Sequence, residues 1–169
     1  MKMRRRAALL LAVISVFAVI GLCGCEKEEK NVISVTGGEV KEGEEITVYI
    51  RATDEIPVAA YGFDVYYDPE ALTFKECEKT EDFQKAWSGL DIYNDKEEED
   101  GKRDVIFVGV NTNKEQEFYK GDLYYITFTA TGKKGAKADL TLKVSALEDT
   151  EQKEHLEEYT VKNGTIKIK

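Results

Sequence analysis

Few residues in this chain could begin a reaction. Its only imidazole is His155, set in the charged segment 151–158, and a serine or cysteine nucleophile needs a base within hydrogen-bond reach. With no glycine-rich strand-to-helix turn either, neither a nucleophile elbow nor a phosphate cradle is signalled, and His155 is expected at the surface. Zinc needs clustered Cys and His, which the sequence lacks. Its 33 acidic residues leave a carboxylate pair for glycoside hydrolysis open, because separation in space is not written in a sequence. Asp91, Asn94, Asp95, Glu97, Glu98, Glu99 and Asp100 supply oxygen ligands of the calcium type. They lack the alternation and central glycine of an EF-hand, so they read as a solvated acidic loop. Trp87 is the only tryptophan, and its ring is a candidate contact for a sugar; beside Phe83 and Leu90 it also fits a plug at the open end of a core. The expectation is a binding protein with no catalytic residues, metal or cofactor.

The amino-terminal segment carries chemistry of another kind. Lys2, Arg4, Arg5 and Arg6 precede an apolar run over 7–22, shorter than the roughly 20 residues of a membrane-spanning helix, which marks 1–24 as a secretion signal. It ends in Leu22-Cys23-Gly24-Cys25, which resembles the lipobox of bacterial lipoproteins. Leu22 stands three residues before Cys25 and the small Gly24 directly before it, so the resemblance implies lipid on Cys25; the alternative is an ordinary signal peptide cut nearby. Residues 25–31 then form a charged tether, with no apolar residue between Glu26 and Lys30. The expected location is the outer face of a bacterial cell membrane or outer membrane, reached through a lipid anchor alone.

Two consequences follow for the mature chain. Of the 24 basic residues, four leave with the signal, so 20 stand against 33 acids, a formal charge of −13. Such a surface repels phosphate and excludes nucleic acid as a partner. Cys77 is also the one thiol left, so no internal disulfide can form and the domain depends on its hydrophobic core, with Cys77 read as a small buried apolar residue.

The elements available to hold that core are strands. Apolar segments are short, β-branched or aromatic, and bounded by Gly, Asp, Asn or Lys clusters. They predict strands over 32–36, 45–52, 60–67, 72–77, 104–110, 123–131, 138–144 and 165–168, with helical or irregular insertions at 81–90 and 148–158. Gly37-Gly38, Gly132 to Gly135 and Asn163-Gly164 offer positive φ for turns, and Asn-Gly is a strong hairpin signal. In the third strand Phe63, Val65 and Tyr67 share one face and Gly62, Asp64 and Tyr66 the other, before Asp68-Pro69 turns the chain and Leu72 and Phe74 return apolar surface. About nine strands over 32–169 require two packed sheets, an all-β sandwich in one domain that is expected to be monomeric.

With its strands in order, the sequence resembles the cohesin domain family over nearly the whole mature chain. The resemblance rests on Gly37 to Ile50 (GGEVKEGEEITVYI), on Tyr67-Asp68-Pro69 followed by Leu72 and Phe74, on Gly121 with Leu123, Ile126 and Phe128, and on the Gly-led last strand 164–168. It implies a flattened jelly roll that binds a dockerin, a small calcium-loaded module of secreted enzymes or scaffold proteins, in polysaccharide degradation. It also implies that the strand ending in Tyr-Asp-Pro offers its outward residues Gly62, Asp64 and Tyr66 to the partner; the neighbouring strand 104–111 adds Asn111 and Phe107 to that face in one of its two phases. Gly62 departs from familiar cohesins, which carry polar residues one pleat earlier. The alternative reading is a surface-displayed carbohydrate-binding sandwich using Trp87, or a structural adhesin-like domain.

Overall fold

The computed structural model describes residues 31–87, 89–97, 103–111 and 118–169. Residues 1–24, the tether up to Lys30 with Cys25, and Glu98 to Asp100 lie outside the described residues.

Alternation of apolar residues builds two sheets that face each other. The strands are β1 (Val32–Val35), β2 (Gly38–Val40), β3 (Glu45–Pro57), β4 (Ala60–Tyr67), β5 (Leu72–Lys79), β6 (Leu90–Glu97), β7 (Arg103–Val110), β8 (Phe118–Ala130), β9 (Lys137–Glu148), β10 (Thr160–Lys162) and β11 (Gly164–Ile168). One sheet runs β10-β1-β3-β8-β5 and the other β2-β11-β9-β4-β7-β6, mostly antiparallel, as a sandwich. The described strands number eleven rather than about nine, because β2, β6 and β10 join the eight predicted segments.

The core lies between the inner faces. Phe63, Val65 and Tyr67 of β4 point into it as their alternation predicts, with Phe107 of β7 and Ile126 and Phe128 of β8. Cys77 is buried, as expected. Helix α1 (Glu81–Ala86) is one short insertion, capped by Thr80 Oγ1, which accepts from Phe83 N at 3.3 Å, and it buries Phe83 against the rings of Trp87, Tyr61, Tyr119 and Tyr124. At the β4–β5 corner Asp68 acts as predicted: its carboxylate accepts from Glu70 N at 2.9 Å and its carbonyl from Leu72 N at 3.0 Å.

The Asn163-Gly164 hairpin does not form. β10 and β11 belong to different sheets, as do β1 and β2, and the two strand-switching points lie against each other. A Cβ on Gly164 would meet the carbonyl oxygens of Thr36 and Val35 at 2.5 and 2.8 Å, and one on Gly37 would strike the backbone of Thr165. Glycine is present there for close backbone approach; of the expected turn glycines, only Gly135 takes positive φ.

Candidate functional site

Strand β6 reverses the polarity expected of a sandwich edge. Its apolar residues point outward, with Leu90 78% and Ile92 75% exposed. Its carboxylates point between the sheets: Asp91 Oδ1 lies 2.8 Å from Lys79 Nζ on β5, and Asp95 Oδ1 accepts from Tyr67 Oη at 2.6 Å and pairs with Arg103. Between them Tyr93 packs its ring 6.4 Å from Phe107 and 6.0 Å from Tyr124. Segment 91–97 is therefore a fastened strand; the acidic loop expected from its charge does not exist over these residues. Periodicity of two still holds, but polar partners inside have taken the place of apolar ones.

Ladder register carries this apolar stripe across the sheet. Residues directly opposite on neighbouring strands share a face, so β6, β7, β4 and β9 form transverse rows. The first is Leu90, Val110, Ala60 and Glu148, and the second is Ile92, Val108, Gly62 and Ala146. The third is Asn94, Ile106, Asp64 and Lys143, and the fourth Lys96, Asp104, Tyr66 and Thr141. Val108 and Val110 are 45% and 47% exposed, so four of the seven exposed large hydrophobics among the described residues sit in the first two rows. A contiguous apolar patch rimmed by polar residues marks an interaction surface.

The predicted face residues divide. Asp64 and Tyr66 do lie on this outer face, half-buried, with Lys143 opposite Asp64. Gly62 is on the face but buried, because the hydroxyl of Ser145, at the β-bulge of β9, covers it; a Cβ there would meet Ser145 Oγ. Asn111 and Phe107 were expected on the face, and both belong to the inward phase of β7: Phe107 is fully buried and Asn111 is 8% exposed, its N–H donating to the Ala59 carbonyl at 2.7 Å. The outward phase is Ile106, Val108 and Val110. Trp87 offers no sugar platform, because its ring is 3% exposed, stacked on Phe83 at 5.6 Å, with Nε1 donating to the Val58 carbonyl at 2.9 Å. His155, expected at the surface, is half-buried there, with Nε2 2.9 Å from Asp149 Oδ2 and Nδ1 3.0 Å from Glu158 Oε1.

Behind the face a polar network joins the sheets. Tyr61 Oη of β4 lies 2.6 Å from Tyr124 Oη of β8, and Tyr124 donates to Asp91 Oδ2 at 3.3 Å. Burial holds both phenols far above the ordinary tyrosine range, and for Tyr124 the neighbouring Tyr61 and Asp91 add to it, so both stay neutral hydrogen-bonding groups. Lys79 Nζ also lies 5.1 Å from the Trp87 ring centroid, a cation–π contact. Among the described residues no group of three or more His, Cys, Asp or Glu could hold a metal ion. The arrangement suits protein recognition on a rigid sheet face.

Sequence reasoning missed Leu90, Ile92, Val108 and Val110. One signal was available: segment 104–110 is apolar in both phases, so a strand with one face in the core must carry apolar surface on the other.

The cohesin domain model matches residues 32–168. No curated protein sequence matches the chain. Among solved structures, the chain is similar to a type I cohesin–dockerin complex of Clostridium thermocellum containing the OlpC cohesin, with TM-score 0.65 and 17% identity over 85% of this chain and 98% of that one. It is similar to the sixth cohesin of Acetivibrio cellulolyticus scaffoldin B, in complex with a Cel5 dockerin, with TM-score 0.64 and 15% identity over 83% of this chain and 100% of that one. A non-cellulosomal cohesin of the archaeon Archaeoglobus fulgidus gives TM-score 0.59 and 18% identity over 83% and 92%. At these identities the solved structures speak for the jelly-roll fold, and the family match, spanning 32–168, establishes that the chain belongs to the cohesin domain family.

Proposed function

We propose that this protein captures a dockerin-bearing protein on the outer face of its six-stranded sheet, as a non-catalytic receptor held outside a bacterial membrane by lipid on Cys25. The observation that carries the reading is the exposed apolar stripe of Leu90, Ile92, Val108 and Val110, on the sheet that also presents Asp64 and Tyr66. Solved relatives of the same fold are described in complex with dockerins, which supports this class of partner. This module takes one partner, and a polysaccharide-degrading enzyme or scaffold is the kind of cargo the family implies.

Titration calorimetry with purified dockerin modules from the same organism, in calcium, tests the reading. One-to-one binding that is lost in Ile92→Asp is the expected result. Retention of binding in Ile92→Asp, or no binding of any dockerin, overturns it; self-association of the unmodified protein that disappears in Ile92→Asp assigns the stripe to a second copy instead.

A further inference from the structure

Strand β6 is the edge of its sheet and its only ladder is to β7, so nothing on its far side holds it in place among the described residues. In a period-2 element a shift by one residue exchanges the two faces completely. For β6 the exchanged phase would turn Leu90 and Ile92 into the space between the sheets, which the hydrophobic effect favours. The observed phase is the opposite one, so specific contacts must select it.

Those contacts are visible and come from both sheets. Asp91 accepts from Lys79 Nζ at 2.8 Å and from Tyr124 Oη at 3.3 Å, reaching β5 and β8 across the sandwich. The side chains of Lys79 and Asp91 are only 17% and 10% exposed, so this pair is shielded from water, unlike the surface pairs. Asp95 repeats the arrangement four residues on, with Tyr67 of β4 and Arg103 of β7. Turning β6 over would strand Lys79 without its carboxylate and carry Asn94 and Lys96 inward.

We infer that Asp91 is a positioning residue for partner binding: through Lys79 and Tyr124 it locks β6 in the phase that holds Leu90 and Ile92 on the docking face. Asp91 itself lies on the inner side of β6 and does not contact the partner. The inference rests on the docking role of that face, and its structural half stands apart from it.

Amide hydrogen exchange and calorimetry on Asp91→Asn and Lys79→Met test both halves. Each variant should speed exchange at β6 amides by about tenfold or more, with β3 and β8 unchanged, as a local opening rather than a global one. Each should also weaken dockerin binding by about five- to tenfold, as a smaller fraction of molecules holds the competent strand. Ile92→Ser should weaken binding with β6 exchange unchanged, which separates contact from positioning. Unchanged β6 exchange in both variants overturns the lock, and faster β6 exchange with unchanged affinity overturns its role in binding. If no dockerin binds the unmodified protein, the functional reading and the positioning role fall together, while the exchange data still decide whether the lock exists. Equal acceleration in β3, β6 and β8 reduces the pair to a general stabilising contact and also overturns the inference.

Discussion

The hydroxyl of Tyr61 on β4 lies 2.6 Å from that of Tyr124 on β8, so the two sheets share a hydrogen bond inside the core. Its direction follows from the next link. A carboxylate only accepts, so Tyr124 donates to Asp91, and Tyr61 must therefore donate to Tyr124. Removing the two hydroxyls should have unequal effects. Tyr124→Phe leaves a buried O–H without its acceptor and should cost about 1–3 kcal/mol, whereas Tyr61→Phe removes a donor and should cost about 0.5–1.5 kcal/mol. Urea unfolding of both variants measures the order, and equal costs would contradict the assigned direction.

On the docking face, Ile92→Ala and Val108→Ala should each weaken dockerin binding by more than about 1 kcal/mol, as truncation of central apolar contacts does. Stability should change by less than about 0.5 kcal/mol for Ile92→Ala, since that side chain is already in water. Val161→Ala serves as control: it is 41% exposed but lies on β10 of the other sheet, and its calorimetric titration should match the unmodified protein.

Trp87 should prove structural. Its ring packs on Phe83 and Tyr61 and its indole N–H is bonded to the Val58 carbonyl, so Trp87→Ala should cost about 3–5 kcal/mol. A thermal melt reads this loss. A variant that melts like the unmodified protein yet loses binding to a glycan array would restore the carbohydrate reading.

Glycines on the two sheet faces should respond differently to alanine. A Cβ on Gly109 would enter the ring of Tyr61, a buried group with no room to move, so Gly109→Ala should cost about 1–3 kcal/mol or more. A Cβ on Gly62 would meet the Ser145 hydroxyl, the end of an exposed side chain that can rotate away, so Gly62→Ala should be milder in the same denaturant titration.

Burial pushes the thiol of Cys77 up to about 12, and the charges of Asp95, Glu78 and Glu76 add to the shift. An unfolded thiol ionises near about 8.5, so the folded value lies above the unfolded one. The stability contributed by the neutral thiol is complete below about pH 8.5 and is lost as pH rises toward the folded value. Tyrosines titrate in the same range, so the comparison is with Cys77→Ala: its stability should fall less steeply than that of the unmodified protein between about pH 8.5 and 11. Parallel pH curves would contradict the assignment.

Much of the fold was legible because period-2 patterning is local. Phe63, Val65 and Tyr67 announce one buried face of β4, and Asp68-Pro69 announces the corner after it, through chemistry that acts within a few residues. Cys77 was readable as a core residue for another reason, the apolar character of a lone thiol, since strict alternation would set it opposite Leu72 and only the bulge between Phe74 and Glu76 turns it inward. The Asn163-Gly164 dipeptide misled because its glycine serves a close approach between strands distant in sequence, where Gly164 meets the Val35 and Thr36 carbonyls.

What the sequence by itself determined about this protein is its all-β class, its family and the strand that ends in Tyr67-Asp68-Pro69, because these depend on residue type and order along the chain. What only the tertiary structure decided is which way the edge faces. Asp91 and Ile92 are adjacent in sequence, and charge and hydrophobicity alone place the isoleucine inside and the carboxylate in water. Lys79 and Tyr124, brought from two other strands, donate to the carboxylate between the sheets and leave the isoleucine outside. That outcome depends on partners 12 and 33 residues away along the chain, which no local pattern contains.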